Sequence, residues 1–154
     1  ILNNQMDDFV SQKGKANAYG LVGYMSNTIG PEKRMLSSMA PTIVMKDNKP
    51  FLVTGSPGGA QIITAVLQVI LNVIEHKMNL AEATNALRIH HQWIPDVLQT
   101  ERSLNADTKE KLVGLGHKIE ESDTMGGVHS ILIKDGMLYG ASDPRKPDSK
   151  TGGY

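Results

Sequence analysis

The residues that could do chemistry fall in a few short stretches. Gly55-Ser-Pro-Gly-Gly59 lies between a strand-like apolar run and a long helix-like one. The first N–H groups of a helix have no intrahelical partner, and glycine lets a ligand approach such donors closely. A turn of this kind can hold a phosphate, a carboxylate or an oxyanion. It is not a phosphate-binding P-loop, because no Gly-Lys-Ser/Thr follows. Nor is it a nucleophile elbow, because Ser56 does not sit in a Gly-x-Ser-x-Gly pattern. Taken alone, it reads more readily as a tight turn that needs positive φ angles.

Asn3-Asn-Gln-Met-Asp-Asp-Phe9 is dense in hydrogen-bonding side chains, beside apolar Leu2, Met6 and Phe9. One carboxylate there could bind an ammonium group. On a strand, Asp7 and Asp8 would point to opposite faces, so at most one would face a given pocket. Too few oxygen ligands are spaced for a calcium loop, and on its own the stretch reads as a solvated turn. Ser37-Ser38 could hydrogen-bond a carboxylate or equally satisfy loop backbone. His90-His91 reads as structural or loop histidine, since adjacent residues do not share a helix face and no His-Glu-x-x-His pattern exists.

The elements that would position these residues follow from periodicity. Residues 1–40 are polar and punctuated by glycines, a strand or turn followed by long loops of the kind that are functional or disordered. Pro41–Lys46 and Pro50–Thr54 read as strands joined at Asp47-Asn48-Lys49. Gln61–His76 carries apolar residues on more than one helical stripe, which predicts a helix packed on two sides. It is too short, and too interrupted by Gln68 and Asn72, to span a bilayer. A second helix is predicted from Asn79 as N-cap to Leu87. His90-His91-Gln92-Trp93 leads into Pro95 and a loop. Asn105–Gly114 reads as a short amphipathic helix. Lys118–Glu121, Val128–Ile133 and Met137–Ala141 read as strands, the last two joined at Lys134-Asp135-Gly136. The tail from Pro144 is polar, without a core signal. This order suggests an α+β domain with helices stacked on an antiparallel sheet.

Composition limits the partners. Lys plus Arg equals Asp plus Glu, so the formal charge is zero and nothing global steers the chain to nucleic acid or an anionic membrane. With no cysteine, a disulfide scaffold, a thiolate metal site and a cysteine nucleophile are excluded. The chain begins at Ile1 without a signal-peptide pattern, as a processed or truncated chain also would.

The order of these motifs carries more than any one of them. Leu2–Phe9, Pro31-Glu-Lys-Arg-Met-Leu-Ser-Ser-Met-Ala-Pro-Thr42 and Val53-Thr-Gly-Ser-Pro-Gly-Gly59 closely resemble gamma-glutamyltranspeptidases. Ala83–Trp93 and Tyr139-Gly-Ala-Ser-Asp-Pro-Arg145 extend the match over nearly the whole chain. The resemblance implies an N-terminal nucleophile hydrolase with an αββα sandwich. It makes residues 1–154 the small-subunit portion of one catalytic domain, lacking the nucleophile segment. The missing start of the small subunit and a large subunit from the same precursor would complete it. In that family the precursor cleaves itself, and the new N-terminal threonine attacks a γ-glutamyl amide with its own α-amine as base. The acyl-enzyme passes the glutamyl group to water or to an amino acid or peptide acceptor. Glutathione is the usual donor, and no cofactor or metal is implied.

The resemblance also implies residue roles. Gly58 and Gly59 match the oxyanion-hole donors. Asp8 and Gln5 match the groups that bind the donor α-ammonium, and Gln5 is the bacterial-type choice. Ser37 and Ser38 match the hydroxyls that hold the α-carboxylate. Tyr19 lies in a stretch like the lid loop of some bacterial members. Met35 stands where proline is common and Ala40 where serine is common. Export to the periplasm or beyond is the implied location. The alternatives on the same scaffold are an acylase, a poly-γ-glutamate transferase or an inert binding homologue. Asp8 argues against a glutaryl-type acylase, since a donor without an ammonium would leave that carboxylate unpaired.

Overall fold

The computed structural model describes residues 3–153; Ile1 and Leu2, named above, lie outside them. Two sheets and three α-helices are present among the described residues, with short 3-10 turns in the N-terminal segment.

The first sheet is antiparallel. Strand β1 (Thr42–Lys46) turns into β2 (Lys49–Gly55) through Asp47 and Asn48, both at positive φ, as a two-residue hairpin with matching twist requires. The register slips between Val44 and Met45, opposite Pro50, which has no N–H to give the ladder. Strand β2 then pairs with β6 (His129–Lys134), and β6 with β7 (Met137–Ala141) through the Asp135-Gly136 turn. The order across the sheet is β1-β2-β6-β7.

Helix α1 (Gln61–Ile74) covers this sheet with Ile62, Ala65, Val66, Val69 and Val73 buried. Helix α2 (Leu80–Asn85) starts in a reciprocal capping box of Asn79 and Glu82. The core joins Leu52 and Val128 of the sheet layer to Ala65, Val69, Val73, Leu80 and Ala83 of the helices. Thr64 and Gln68 also tie α1 to the Ile89–His90 segment, but its remaining apolar stripe is open, where cover was expected. Ile63, Leu67 and Leu71 are 53%, 50% and 41% exposed, so its second apolar stripe has no cover among the described residues.

The second sheet corrects the expectations of a loop after His90 and of a purely antiparallel sheet. The segment after His90 is not all loop. Strand β3 (Ile89–His90) pairs antiparallel with β4 (Leu98–Glu101), and β4 pairs in parallel with β5 (Ile119–Ser122). Helix α3 (Ala106–Gly114) lies in the connection from β4 to β5, as a parallel pair needs a long crossover. Strand β4 gave no alternating signal because Thr100 and Glu101 are both buried polar residues.

The N-terminal segment is looped, but tied. Gln5–Asp8 is a 3-10 turn rather than a strand, so the alternation expected for Asp7 and Asp8 does not apply. Asn17 and Asn27 both donate to the Asp8 carbonyl, at 3.1 and 2.9 Å. Further along, the Tyr24 and Trp93 rings stack at 6.4 Å between centroids, and Gln92 Nε2 donates to the Gly20 carbonyl. The tail beyond Pro144 also proves anchored. The Arg145 side chain is 9% exposed in the interior, and Thr151 hydrogen-bonds Ser142.

Candidate active site

The Gly55–Gly59 turn is built by strand β2 ending and α1 beginning. Gly58 and Gly59 have φ of +138° and +55°, values that L side chains rarely adopt. Their carbonyls accept from Gln61 N and Ile62 N, so they satisfy the first helical donors. Their own N–H groups donate to no acceptor among the described residues. Two free N–H groups at the start of a helix are a site for developing negative charge.

Space confirms the need for glycine. A Cβ on Gly58 would lie 3.2 Å from the Gly126 Cα, and one on Gly59 would lie 3.0 Å from Tyr19 Cδ1. Tyr19 thus packs on the turn, and its hydroxyl accepts from Asn4 Nδ2 at 2.6 Å. Asn17 Oδ1 accepts from Tyr19 N and Leu21 N, at 2.9 and 3.0 Å, which fixes the loop beside the ring. Tyr19, Gly58, Gly59, Gln92 and Gln99 line a cavity of about 460 Å³. A larger one, about 970 Å³, opens between the sheet and the α1–α2 junction. Its lining of Val44, Phe51, Leu80 and three lysines holds no carboxylate and does not include the Gly58-Gly59 turn, so the smaller cavity is the chemical one.

The other expected site residues lie around this turn at differing remove. Gln5 is exposed and Asp8 half-buried on the same 3-10 turn. Burial, and then the charge of Asp7, raises the Asp8 carboxyl above the ordinary range. Asn27 couples that turn to the paired serines, since its Nδ2 donates to Asp8 O while its Oδ1 accepts from Leu36 N at 2.8 Å. Ser37 is exposed and accepts from Met39 N; Ser38 is buried. None of Gln5, Asp8, Ser37 and Ser38 lines the 460 Å³ cavity. Asn17 and Asn27, whose side chains hold these pieces in register, carried no signal in the sequence beyond their loop-favouring type.

His90 is a structural histidine. It is buried, with Nδ1 on Thr64 Oγ1 at 2.8 Å and Nε2 on Gln92 Oε1 at 2.9 Å. His91 faces Asp96.

Sequence reasoning missed a buried ionic quartet of Arg88, Glu101, Asp143 and Arg145. Arg88 Nη2 meets Asp143 Oδ2 at 2.7 Å, and Arg145 meets both Glu101 oxygens and Asp143 Oδ1. The carboxylates also take backbone donors: Glu101 from Arg88 N and Met125 N, Asp143 from Val128 N and Arg145 N. Burial is the largest influence on both carboxyls and would raise them. The arginines and backbone N–H groups together outweigh it and hold both below the ordinary range. Arg88 Nη1 donates to Met125 O. The quartet therefore clamps the Met125–Val128 loop, which packs against Gly58. The only hint in sequence was Arg88 inside the apolar Ala86-Leu-Arg-Ile89; Glu101, Asp143 and Arg145 stand among mostly polar neighbours.

A family model described as gamma-glutamyltranspeptidase matches residues 1–153. The chain belongs to the gamma-glutamyltranspeptidase family. It is 56% identical over 155 residues to a glutathione hydrolase proenzyme of Escherichia coli, covering all of this chain and 27% of that protein. A glutathione hydrolase proenzyme of Pseudomonas aeruginosa is 42% identical over 149 residues, 94% of this chain and 27% of the relative. The chain thus spans about a quarter of the length of the curated relatives it matches. A solved gamma-glutamyltranspeptidase of Pseudomonas nitroreducens, complexed with L-DON, superposes with TM-score 0.90 at 39% identity, over 100% of this chain and 82% of that one. A Bacillus halodurans cephalosporin acylase superposes with TM-score 0.71 at 27% identity, over 77% of this chain and 23% of that one. The fold is accordingly α+β, a partial N-terminal nucleophile hydrolase sandwich.

Proposed function

We propose that residues 1–154 are the small-subunit portion of the catalytic domain of a gamma-glutamyl transferase and glutathione hydrolase. The observation that carries this is the Gly58-Gly59 turn, with two N–H groups free of acceptors among the described residues and Tyr19 packed on it. Such a turn suits acyl transfer, in which a carbonyl oxygen gains charge at the tetrahedral stage. The nucleophile is a threonine outside this sequence, supplied by self-cleavage of a precursor, so these residues alone are inactive. Its hydroxyl attacks the γ-glutamyl amide of glutathione or a similar donor, and its α-amine takes the proton and returns it to the leaving amine. The acyl ester then passes to water or to the amine of an acceptor amino acid or peptide. No cofactor enters this sequence of steps.

Donor recognition falls to the N-terminal segment. Asp8, assisted by Gln5, pairs with the α-ammonium, and Ser37 and Ser38 hydrogen-bond the α-carboxylate. Tyr19 acts as part of a lid over the turn. The exposed apolar stripe of Ile63, Leu67 and Leu71 on α1 is in keeping with cover by a large subunit. The parent is exported to the periplasm or beyond. The acylase reading remains secondary, because a side chain without an ammonium would leave Asp8 unpaired.

The test is intact mass and N-terminal sequencing of the natural protein, run beside release of anilide from a γ-glutamyl anilide. A longer chain starting at threonine, paired with a second subunit and active, supports the reading. A natural chain starting at Ile1 that releases no anilide overturns it in favour of a binding role.

A further inference from the structure

Ser56 is left unused by the chemistry described so far, yet its hydroxyl makes two bonds at the centre of the turn. It donates to the Pro57 carbonyl at 2.6 Å and accepts from Gly127 N at 3.0 Å. The directions are fixed by type, because a carbonyl only accepts and an amide N–H only donates. The Pro57 carbonyl belongs to the same peptide unit as the Gly58 N–H. A trans peptide is planar, with its C=O and N–H pointing in opposite directions. Ile94-Pro95 is the cis bond among the described residues, so the Pro57-Gly58 unit is trans. Holding the Pro57 oxygen therefore sets the direction of the Gly58 N–H.

Such a hold is needed because glycine resists little. At Gly58, with φ at +138° and no Cβ, the preceding peptide can rotate at low cost. The anchor for Ser56 is itself fixed. Gly127 lies in the loop whose Met125 N and Val128 N donate to Glu101 and Asp143. A Cβ on Gly126 would come within 2.8 Å of Ser56 Oγ, so bare backbone presses against the hydroxyl.

We infer that Ser56 is a positioning residue for acyl transfer, whose hydroxyl locks the Pro57-Gly58 peptide so that the Gly58 N–H faces the developing oxyanion. This rests on the oxyanion role proposed for Gly58. Ser56 touches no substrate atom in this scheme and acts through the peptide plane.

The test uses the complete processed enzyme, with rates expressed per titrated nucleophile. Ser56→Ala should lower kcat about tenfold, a part of the ~10²–10³-fold loss expected for deleting a whole oxyanion donor. KM for a γ-glutamyl anilide should stay within about twofold. Affinity for a γ-boronic acid analogue of glutamate, which forms a tetrahedral adduct, should fall in parallel with kcat, while affinity for glutamate itself holds. Ser56→Thr should restore both. Ser56→Cys, which keeps the shape and weakens the bond, serves if the alanine variant does not accumulate. Unchanged kcat and boronate affinity in Ser56→Ala overturn the inference, as does a kcat loss with boronate affinity intact. Glycolate in place of Gly58, an ester for an amide, separates the two readings. If that ester changes neither quantity, the oxyanion role fails. If it weakens both while Ser56→Ala does not, only the role of Ser56 fails.

Discussion

Asp143→Ala should be among the most damaging single changes in this chain. Asp143 is 1% exposed and accepts four bonds. Its Oδ2 takes Val128 N and Arg88 Nη2, both at 2.7 Å, and its Oδ1 takes Arg145 N at 3.0 Å and Arg145 Nη1 at 3.1 Å. Alanine removes all four and turns a neutral quartet into one with a net positive charge. Arg145 keeps Glu101, but Arg88 keeps only the Thr84 and Met125 carbonyls as direct partners. Removing one member of a buried ion pair costs about 3–5 kcal/mol, since the other charge stays buried. The complete relatives are about four times this length, and a protein of that size shifts by about 1 °C per kcal/mol, so the melting temperature should drop by roughly 4 °C. Differential scanning calorimetry of the complete protein reads this directly. Asp143→Asn, which keeps the shape and part of the acceptor capacity, should lose about half as much. Arg88→Met combined with Asp143→Leu should recover part of the loss, because an apolar pair needs no desolvation. Recovery stays partial because Val128 N would remain unsatisfied. No measurable drop in Asp143→Ala would refute the reasoning and mean that water or a shift of Arg88 relieves the charge.

Acid should weaken the fold through the same groups. Glu101 and Asp143 titrate lower folded than unfolded, so their stabilisation is complete above the unfolded values of about 4 and is lost as pH falls through the lower folded ones. Melting temperature against pH should therefore fall below about pH 4, less steeply in Asp143→Asn. Asp8→Ala should raise donor KM at least tenfold on a γ-glutamyl anilide, because an ammonium loses its charged partner; an unchanged KM removes Asp8 from the site. In the unmodified enzyme, donor KM should climb as pH falls, with a midpoint above that of an ordinary aspartate, since the Asp8 carboxyl is raised by burial and by Asp7. Asn27→Ala cuts the bonds to Asp8 O and Leu36 N and should raise donor KM several-fold with kcat nearly constant; an unaltered KM would mean the two loops are held independently.

Local chemistry made much of this molecule readable in one dimension. Asp47-Asn48 and Asp135-Gly136 are residue pairs that accept positive φ, and both hairpins formed around them. Asn79 and Glu82 are spaced for a capping box, and the box closes. The Gly55–Gly59 turn was legible because a strand must end and a helix begin there. Strand β4 was not legible. Of its buried residues only Leu98 is apolar, while Thr100 and Glu101 are polar, and polar side chains are buried only when partners from elsewhere in the chain arrive. The second stripe of α1 misled for a related reason, since apolar periodicity records what must be covered and not which chain covers it.

The sequence by itself determined the family, the hairpins, the helices and the turn that presents Gly58 and Gly59, because each depends on neighbours within a few residues or on an ordered set of motifs. Only the tertiary structure joined Arg88, Glu101, Asp143 and Arg145, or set Ser56 beneath Gly127, 71 positions further along the chain. A buried ion pair or a hydroxyl bridge needs partners brought together from distant parts of the chain to offset the loss of water, and no local pattern of residue types encodes that.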